Sequence, residues 1–204
     1  MSTPGTHHSA AVFAEMFAAS DDPWGFRCRW YEQRKRALTL ASLPAPRYRR
    51  AFEPGCANGE LAAALAERCD EVVASDGIDA AVSLARRRVS SLPNVEIVQG
   101  WVPDDWPAGR FDLIVLSEFG FYLSPSTLAA VIERTLASLD DGGTVLACHW
   151  RHPVAGFDAS GDTVHAALAE RIGLPRLVQH AEPDFLLDVW CRDPRSVAQR
   201  EGFV

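Results

Sequence analysis

No stretch of this sequence stays apolar for the ~20 residues that a bilayer-spanning helix requires, and Met1 to Ala10 lack the basic start and continuous apolar core of an export signal. A cytoplasmic protein without a membrane partner is therefore expected. Cysteine is sparse. Cys28, Cys56, Cys69, Cys148 and Cys191 are odd in number, scattered and without a Cys-x-x-Cys pair, which excludes a disulfide scaffold and the common zinc modules and suits free thiols in a reducing compartment. Net positive charge is also missing. At a formal charge of −7 the chain offers no broad cationic surface for nucleic acid; Arg47, Arg49 and Arg50 read as a solvated linker, and Arg86-Arg87-Arg88 as the cationic end of a helix. There is no internal repeat, low-complexity tract or Gly/Ser linker. With 204 residues, 48% of them apolar and 23% charged, one domain with a substantial core is expected.

What is present is an alternation of two periodicities. Strands are expected at Ala51 to Pro54, Glu71 to Ser75, Val95 to Gln99, Phe111 to Ser117, Thr144 to Trp150, Leu177 to Ala181 and Phe185 to Cys191. Helical spacing of apolar residues fills Gly59 to Arg68, Asp79 to Ser90 and Ser126 to Leu139. Strands alternating with helices imply a parallel sheet covered on both faces. Only Glu182-Pro183-Asp184 separates the last two strands, too few residues for a crossover helix, so these should form an antiparallel hairpin. Before the first strand, Ser9 to Ala19 and about Trp24 to Ala41 read as helices. The chain thus divides into N-terminal helices (1–46) covering a site, an α/β core (47–193) and a surface tail (194–204), with no functional role assigned to the terminal pair His7-His8.

The chemistry centres on Phe52-Glu53-Pro54-Gly55-Cys56-Ala57-Asn58-Gly59, a strand end running into a glycine loop and a helix, with Val72-Val73-Ala74-Ser75-Asp76 as the next strand. This is the opening unit of a nucleotide-cofactor site. Glu53 stands where a dinucleotide pyrophosphate would meet its charge, and the Gly-x-x-x-Gly spacing departs from the dinucleotide fingerprint. S-adenosylmethionine carries no phosphate, and its sulfonium and ammonium welcome a carboxylate. The loop therefore favours that cofactor, with S-adenosylhomocysteine as product, over NAD. Gly55, Ala57 and Gly59 let the backbone approach the methionine moiety, and Asp76 can accept hydrogen bonds from both ribose hydroxyls. Gly77 and Ile78 follow it, with Ile78 and Val102 placed to sandwich an adenine. Cys56 adjoins the cofactor but has no neighbouring base and reads as buried filler rather than a nucleophile.

Over roughly Arg50 to Asp193 the pattern resembles the Class I S-adenosylmethionine-dependent methyltransferases. That resemblance implies a Rossmann-like, seven-stranded, mostly parallel sheet with a reversed C-terminal hairpin strand, helices on both faces and N-terminal lid helices. Within the group, Asp22-Pro23-Trp24-Gly25-Phe26, Trp30-Tyr31-Glu32-Gln33-Arg34, Glu53-Pro54-Gly55-Cys56-Ala57 and Phe111 to Glu118 are similar to the nodulation protein S type. This likeness implies methyl transfer to the amine of an amino sugar or glycan-like small molecule. Many relatives carry an acidic residue after the third strand for the adenine amine; Gln99-Gly100-Trp101-Val102 stands here instead, and Trp101 or backbone groups would replace it.

On the expected second helix, Trp24, Tyr31 and Lys35 share a face at i, i+7 and i+11. Two readings are open: Trp24 and Tyr31 close over the cofactor while Arg34 pairs with its carboxylate, or the aromatics are core and the cations face water. Exposed aromatics there also leave a homodimer contact open. The acceptor should lie at the ends of the fourth and fifth strands, where Ser117 adjoins the cofactor, Glu118 and His149 can take or relay a proton, and Tyr122 can orient the substrate. His149, His152, Asp162 and His165 match no standard metal spacing, and no metal is expected. Phe157 to Gly161 reads as a loop shaping substrate choice. An O-methyltransferase, a non-catalytic cofactor binder and an NAD-dependent oxidoreductase remain the alternatives, the last opposed by Glu53, the absent third glycine and the hairpin.

Overall fold

The sheet is built outward from strands that are apolar on both faces. In a computed structural model, which describes residues 4–204 with side chains from Ala10 onward, Leu113, Ile114, Val115 and Leu116 are all buried, as a strand covered by helices on both sides requires. The side chains of His7 and His8 lie outside the described residues. Among the described residues the strands are β1 (Tyr48–Pro54), β2 (Cys69–Asp76), β3 (Val95–Gln99), β4 (Phe111–Ser117), β5 (Leu139–Trp150), β6 (Arg176–Ala181) and β7 (Phe185–Cys191), in the spatial order β3-β2-β1-β4-β5-β7-β6. Pairing is parallel from β3 through β5, and β7 runs antiparallel to both β5 and β6. The reversed hairpin and the fold expected from the sequence are both present. Strand β1 begins three residues earlier than the sequence suggested because the Asp112 carboxylate accepts the backbone amides of Arg49 and Arg50, each at 2.7 Å, and draws the arginine-rich segment into the sheet.

The helices are α1 (Pro4–Ala19), α2 (Trp30–Ala41), α3 (Glu60–Leu65), α4 (Asp79–Arg88), α5 (Pro125–Ser138), α6 (Gly161–Arg171) and α7 (Val197–Arg200), with a 3-10 turn at Gly120–Tyr122. One core joins Leu65, Val72, Val82 and Ala85 with partly buried residues of α2 such as Leu38; the opposite core joins Phe52, Ile114, Ile132, Leu146's neighbour Val145, and Leu168 of α6. Each fully buried large side chain contributes on the order of 2 kcal/mol to holding the layers together. Helix α1 lies over α4, with Phe17 packed among Ile78, Ala81 and Leu84. Among the described residues no helix is long and apolar enough to cross a membrane.

The second helix starts later than expected. It begins at Trp30 rather than near Trp24, because the Asp22 carboxylate accepts the amides of Phe26 (2.8 Å) and Arg27 (3.0 Å) and Gly25 takes a left-handed conformation at φ +75°. Residues 22–29 are consequently turns. The same carboxylate accepts a hydrogen bond from the Asn58 amide at 3.0 Å, tying this entry segment to the glycine loop. Trp24 therefore reaches the site from a turn and shares no helix face with Tyr31 and Lys35.

Candidate active site

A cleft of about 1580 Å³ opens above the C-terminal ends of β1, β2, β4 and β5, where the strand order reverses. Its cofactor-side wall follows from the glycine loop. Gly55, Ala57 and Gly59 take φ values of +73°, +48° and +81°, so alternate residues are left-handed. At Gly59 a side chain would also meet the Ala85 backbone at 3.0 Å, which fixes the approach of α3 to α4. The amides of Gly55 and Cys56 both donate to the Ser75 carbonyl (2.7 and 2.9 Å). Asp76 completes the frame: one carboxylate oxygen accepts Ala57 N–H at 3.0 Å and the other Ile78 N–H at 2.9 Å, so a single side chain holds the loops after β1 and β2 together.

Beneath the loop, Glu53 is 3% exposed and its Oε2 has no partner; Ser75 Oγ is likewise buried and unpartnered. Burial, reinforced by the neighbouring Asp76 charge, pushes the Glu53 carboxyl up to about 8. Burial raises Asp76 to about 6 against the lowering effect of its backbone amide donors. An unpaired buried polar group costs about 1–3 kcal/mol. Two such groups stand side by side at the ends of the neighbouring strands β1 and β2, below the glycine loop.

The opposite wall is built differently. Glu118, at φ +57°, turns back at the end of β4; its Oε1 accepts from Lys35 Nζ at 2.6 Å and its Oε2 from the Trp150 amide at 2.9 Å. Lys35 also pairs with Glu32 at 3.0 Å and sits 4.9 Å from the centroid of the Tyr31 ring. Burial raises the Glu32 carboxyl against the pull of Lys35. The Tyr31 hydroxyl is buried without a partner, and its ring packs edge-on against Trp150 at 5.5 Å. Aromatic rings close the remainder: Phe13 meets Tyr122 at 4.7 Å, Tyr122 meets Phe157 at 4.8 Å, and Trp24 stands 5.5 Å from Phe17.

A methyltransferase-domain family model matches residues 51–143. A crystal structure from Pseudomonas syringae, described as a methyltransferase, is 54% identical, covering 80% of this chain and 99% of that one with a TM-score of 0.73. The chain belongs to the class I S-adenosylmethionine-dependent methyltransferases. Nodulation protein S of Rhizobium tropici is 30% identical to this methyltransferase over 127 residues, 61% of this chain but 53% of that protein. The chain thus spans about half the length of this relative. N-methyltransferase NodS from Bradyrhizobium japonicum WM9, solved in complex with S-adenosyl-L-homocysteine, shares the fold at a TM-score of 0.81 and 24% identity, covering 92% of this chain and 99% of that one.

The residues of this methyltransferase fit the family's cofactor. The unpartnered Ser75 hydroxyl, the left-handed loop and the Asp76 carboxylate form a phosphate-free cradle suited to a nucleoside sulfonium, while Glu53 lies buried beneath the loop, outside the cleft lining, with its carboxyl raised to about 8. Of the residues expected from the sequence, Trp24, Tyr31, Gly55, Ala57, Asp76, Gly77, Ile78, Trp101, Val102, Glu118 and Tyr122 line the cleft. Only glycine fits at position 77, since an added Cβ would fall 2.1 Å from the Trp101 indole. Cys56 and Gly59 shape the loop from behind; burial pushes the Cys56 thiol well up, which leaves it inert as a nucleophile. Ser117 pairs with Cys148 inside the sheet and stays out of the cleft.

Two further residues expected at the site do not line the cleft. Arg34 does not reach the cleft, because its guanidinium is held by both oxygens of Glu182 at 2.7 Å. His149 is fully buried away from the cleft, and burial together with His165 drives its pKa well below the usual imidazole range. Glu118 lines the cleft, but both its oxygens are engaged.

Sequence reasoning passed over Arg29 and Asp104. Arg29 lines the cleft from the 22–29 turn and, among the described residues, has no ion-pair partner. Asp104 lines it from the loop after β3, two residues beyond Val102. A sequence scan carried past Val102 would have met this carboxylate.

Proposed function

We propose that this methyltransferase transfers a methyl group from S-adenosylmethionine to the amine of a small molecule. The observation carrying this reading is the charge balance of the acceptor wall, where Glu32 and Glu118 face a single Lys35 inside an aromatic enclosure. Two carboxylates against one ammonium leave a net negative charge, and an incoming alkylammonium flanked by aromatic faces satisfies it. The printed names of the relatives, nodulation protein S and N-methyltransferase NodS, support nitrogen as the nucleophile. An amino sugar or similar glycan amine is the proposed substrate class.

The cofactor, when bound, supplies an electrophilic methyl group on a positively charged sulfur. The chain's own contribution is placement. Gly55 and Ala57 would seat the amino-acid end above Glu53 and Ser75, with Arg29 taking over the carboxylate role expected of Arg34. Asp76 would hold the ribose, and Trp101, Ile78 and Val102 the adenine, with Asp104 accepting from its amine. Displacement at carbon needs nucleophile, methyl and sulfur in line within a dry site, and the aromatic wall of Phe13, Trp24, Tyr122 and Phe157 would exclude water from that line. An alkylamine arrives protonated and must lose its proton first. Glu32, the acceptor-wall carboxylate whose proton affinity burial raises, would take it.

The test is release of S-adenosylhomocysteine, followed by mass spectrometry, across amino sugars, simple amines and their hydroxyl counterparts. Turnover that requires the amine and collapses in Asp76→Ala supports the proposal. Turnover only with hydroxyl acceptors would make this an O-methyltransferase, and tight cofactor binding with no turnover on any acceptor would make it a binder.

A further inference from the structure

Behind the acceptor wall runs a set of buried polar groups that the proposed reaction does not use. His149 on β5, His165 on α6 and Asp188 on β7 are 0%, 4% and 3% exposed. Gly120 N–H, at the start of the 3-10 turn, lies 3.3 Å from His149 Nε2; His149 Nδ1 lies 3.2 Å from His165 Nε2; and His165 Nδ1 lies 2.6 Å from Asp188 Oδ2. At the outer end Arg176 reaches Asp188 Oδ1 at 3.4 Å from β6.

The first link fixes the direction of all the others. A backbone amide can only donate, so His149 Nε2 must be unprotonated; a neutral His149 then carries its proton on Nδ1 and donates to His165 Nε2. His165, accepting at Nε2, carries its own proton on Nδ1 and donates to the Asp188 carboxylate. Every group has one role and none is left over. A merely filled core would be apolar here, since burying two imidazoles and a carboxylate is costly unless all their hydrogen bonds are made.

We infer that His149, His165 and Asp188 are positioning residues: a buried one-way hydrogen-bond chain that anchors the Gly120–Tyr122 turn and so sets the acceptor wall formed by Phe119, Phe121 and Tyr122. Gly120 is where that anchoring is tightest, because an added Cβ would fall 2.7 Å from Val164 and 2.9 Å from His149 Nε2. The turn's side chains line the cleft, and Phe121 packs edge-on against the His149 ring at 5.8 Å. Lys35 of α2 and His165 of α6 are the charged or titratable neighbours acting on His149, while Asp188 of β7 lies beyond His165. The inference rests on the acceptor reading above for its catalytic consequence, but not for its geometry.

The experiment has one arm that needs no substrate. Nitrogen-15 NMR of the histidine-labelled full-length protein should find both His149 and His165 neutral and protonated at Nδ1. A proton on His149 Nε2 would overturn the inference, since the Gly120 amide would then have no acceptor. In the second arm, His149→Phe keeps the ring volume and removes the acceptor. Hydrogen exchange at Gly120 should accelerate, and KM for the acceptor should rise roughly tenfold, the scale of losing one buried hydrogen bond, with S-adenosylhomocysteine affinity within about twofold of wild type. His165→Gln, whose amide oxygen can stand in for Nε2, should retain acceptor KM better than His165→Leu. Equal effects of these two, or unchanged exchange at Gly120 in His149→Phe, would refute the chain. If the wild type turns over no acceptor, the proposed function fails while the tautomer and exchange results still decide this inference.

Discussion

The two walls of the cleft handle buried polarity in opposite ways. On the cofactor side, Glu53 Oε2 and Ser75 Oγ are buried without partners, and the backbone stands left-handed at Ala57. On the acceptor side, Lys35 bridges two carboxylates, Glu118 has both oxygens engaged, and both nitrogens of His149 are used. One wall is a socket open to a ligand's hydrogen bonds; the other is nearly finished before any ligand arrives, the buried Tyr31 hydroxyl being its unpartnered atom among the described residues. Damage to the socket should therefore register as lost affinity, and damage to the finished wall as lost stability.

The largest effect expected from this contrast is in the finished wall. Lys35→Met strands Glu32 and Glu118 in a buried site, and breaking such a pair typically costs about 3–5 kcal/mol. Denaturant unfolding should read that loss directly; a loss below about 1 kcal/mol would mean the triad is solvated and behaves like a surface pair. In the socket, Asp76→Ala should reduce S-adenosylhomocysteine affinity roughly 30-fold, the scale of a charged hydrogen bond plus the loop amides it orders. Calorimetry checks this, and unchanged affinity would remove Asp76 from the cofactor site.

Next in size is a pH effect confined to the socket. The Glu53 carboxyl stands at about 8 in the folded protein against 4.5 for a free side chain, so between those values the folded state holds a proton that the unfolded state has released. Stability linked to Glu53 is complete below about pH 4.5 and is lost as pH rises through about 8. Asp76, raised to about 6, acts in the same direction over a lower range. His149 acts oppositely, its depressed pKa adding stability above the usual imidazole range. Comparison with Glu53→Gln isolates the carboxylate. The wild type should lose stability relative to this variant from pH 5 to 8, and S-adenosylhomocysteine, bringing an ammonium, should shrink the difference while releasing a proton on binding.

The same contrast explains what could be read from the sequence. The strand positions, the hairpin and the glycine loop of the socket follow from local signals: apolar runs, a three-residue connection, closely spaced glycines and one aspartate at a strand end. The finished wall rests on pairings between residues far apart in the chain, such as Lys35 with Glu118 and His165 with Asp188, which no local spacing announces. Helix α2 was misjudged for a related reason. The Asp22 carboxylate could cap a helix or fold back on a turn, and its link to Asn58 in the glycine loop goes with the turn. Asp104 was missed because a loop can deliver a side chain from several positions, whereas a strand delivers it from one.

The smallest expected effect tests the residue that sequence reasoning placed in the wrong wall. Arg34 shares the chain neighbourhood of Tyr31 and Lys35, but its guanidinium lies 41% exposed against Glu182, which it holds down to about 2. An ion pair that open to solvent is screened and contributes little. Arg34→Ala should therefore leave S-adenosylhomocysteine affinity within about twofold and barely move the unfolding midpoint, with Glu182 titrating closer to an ordinary glutamate. Arg29→Ala, made in parallel, should lower the affinity by several-fold, because Arg29 lines the cleft and forms no ion pair among the described residues. If the two variants exchanged these outcomes, α2 would have to rotate in the bound state to bring Arg34 to the cofactor. That rotation would break the Lys35 contacts that complete the acceptor wall, so the division between socket and finished wall would hold only for the ligand-free protein.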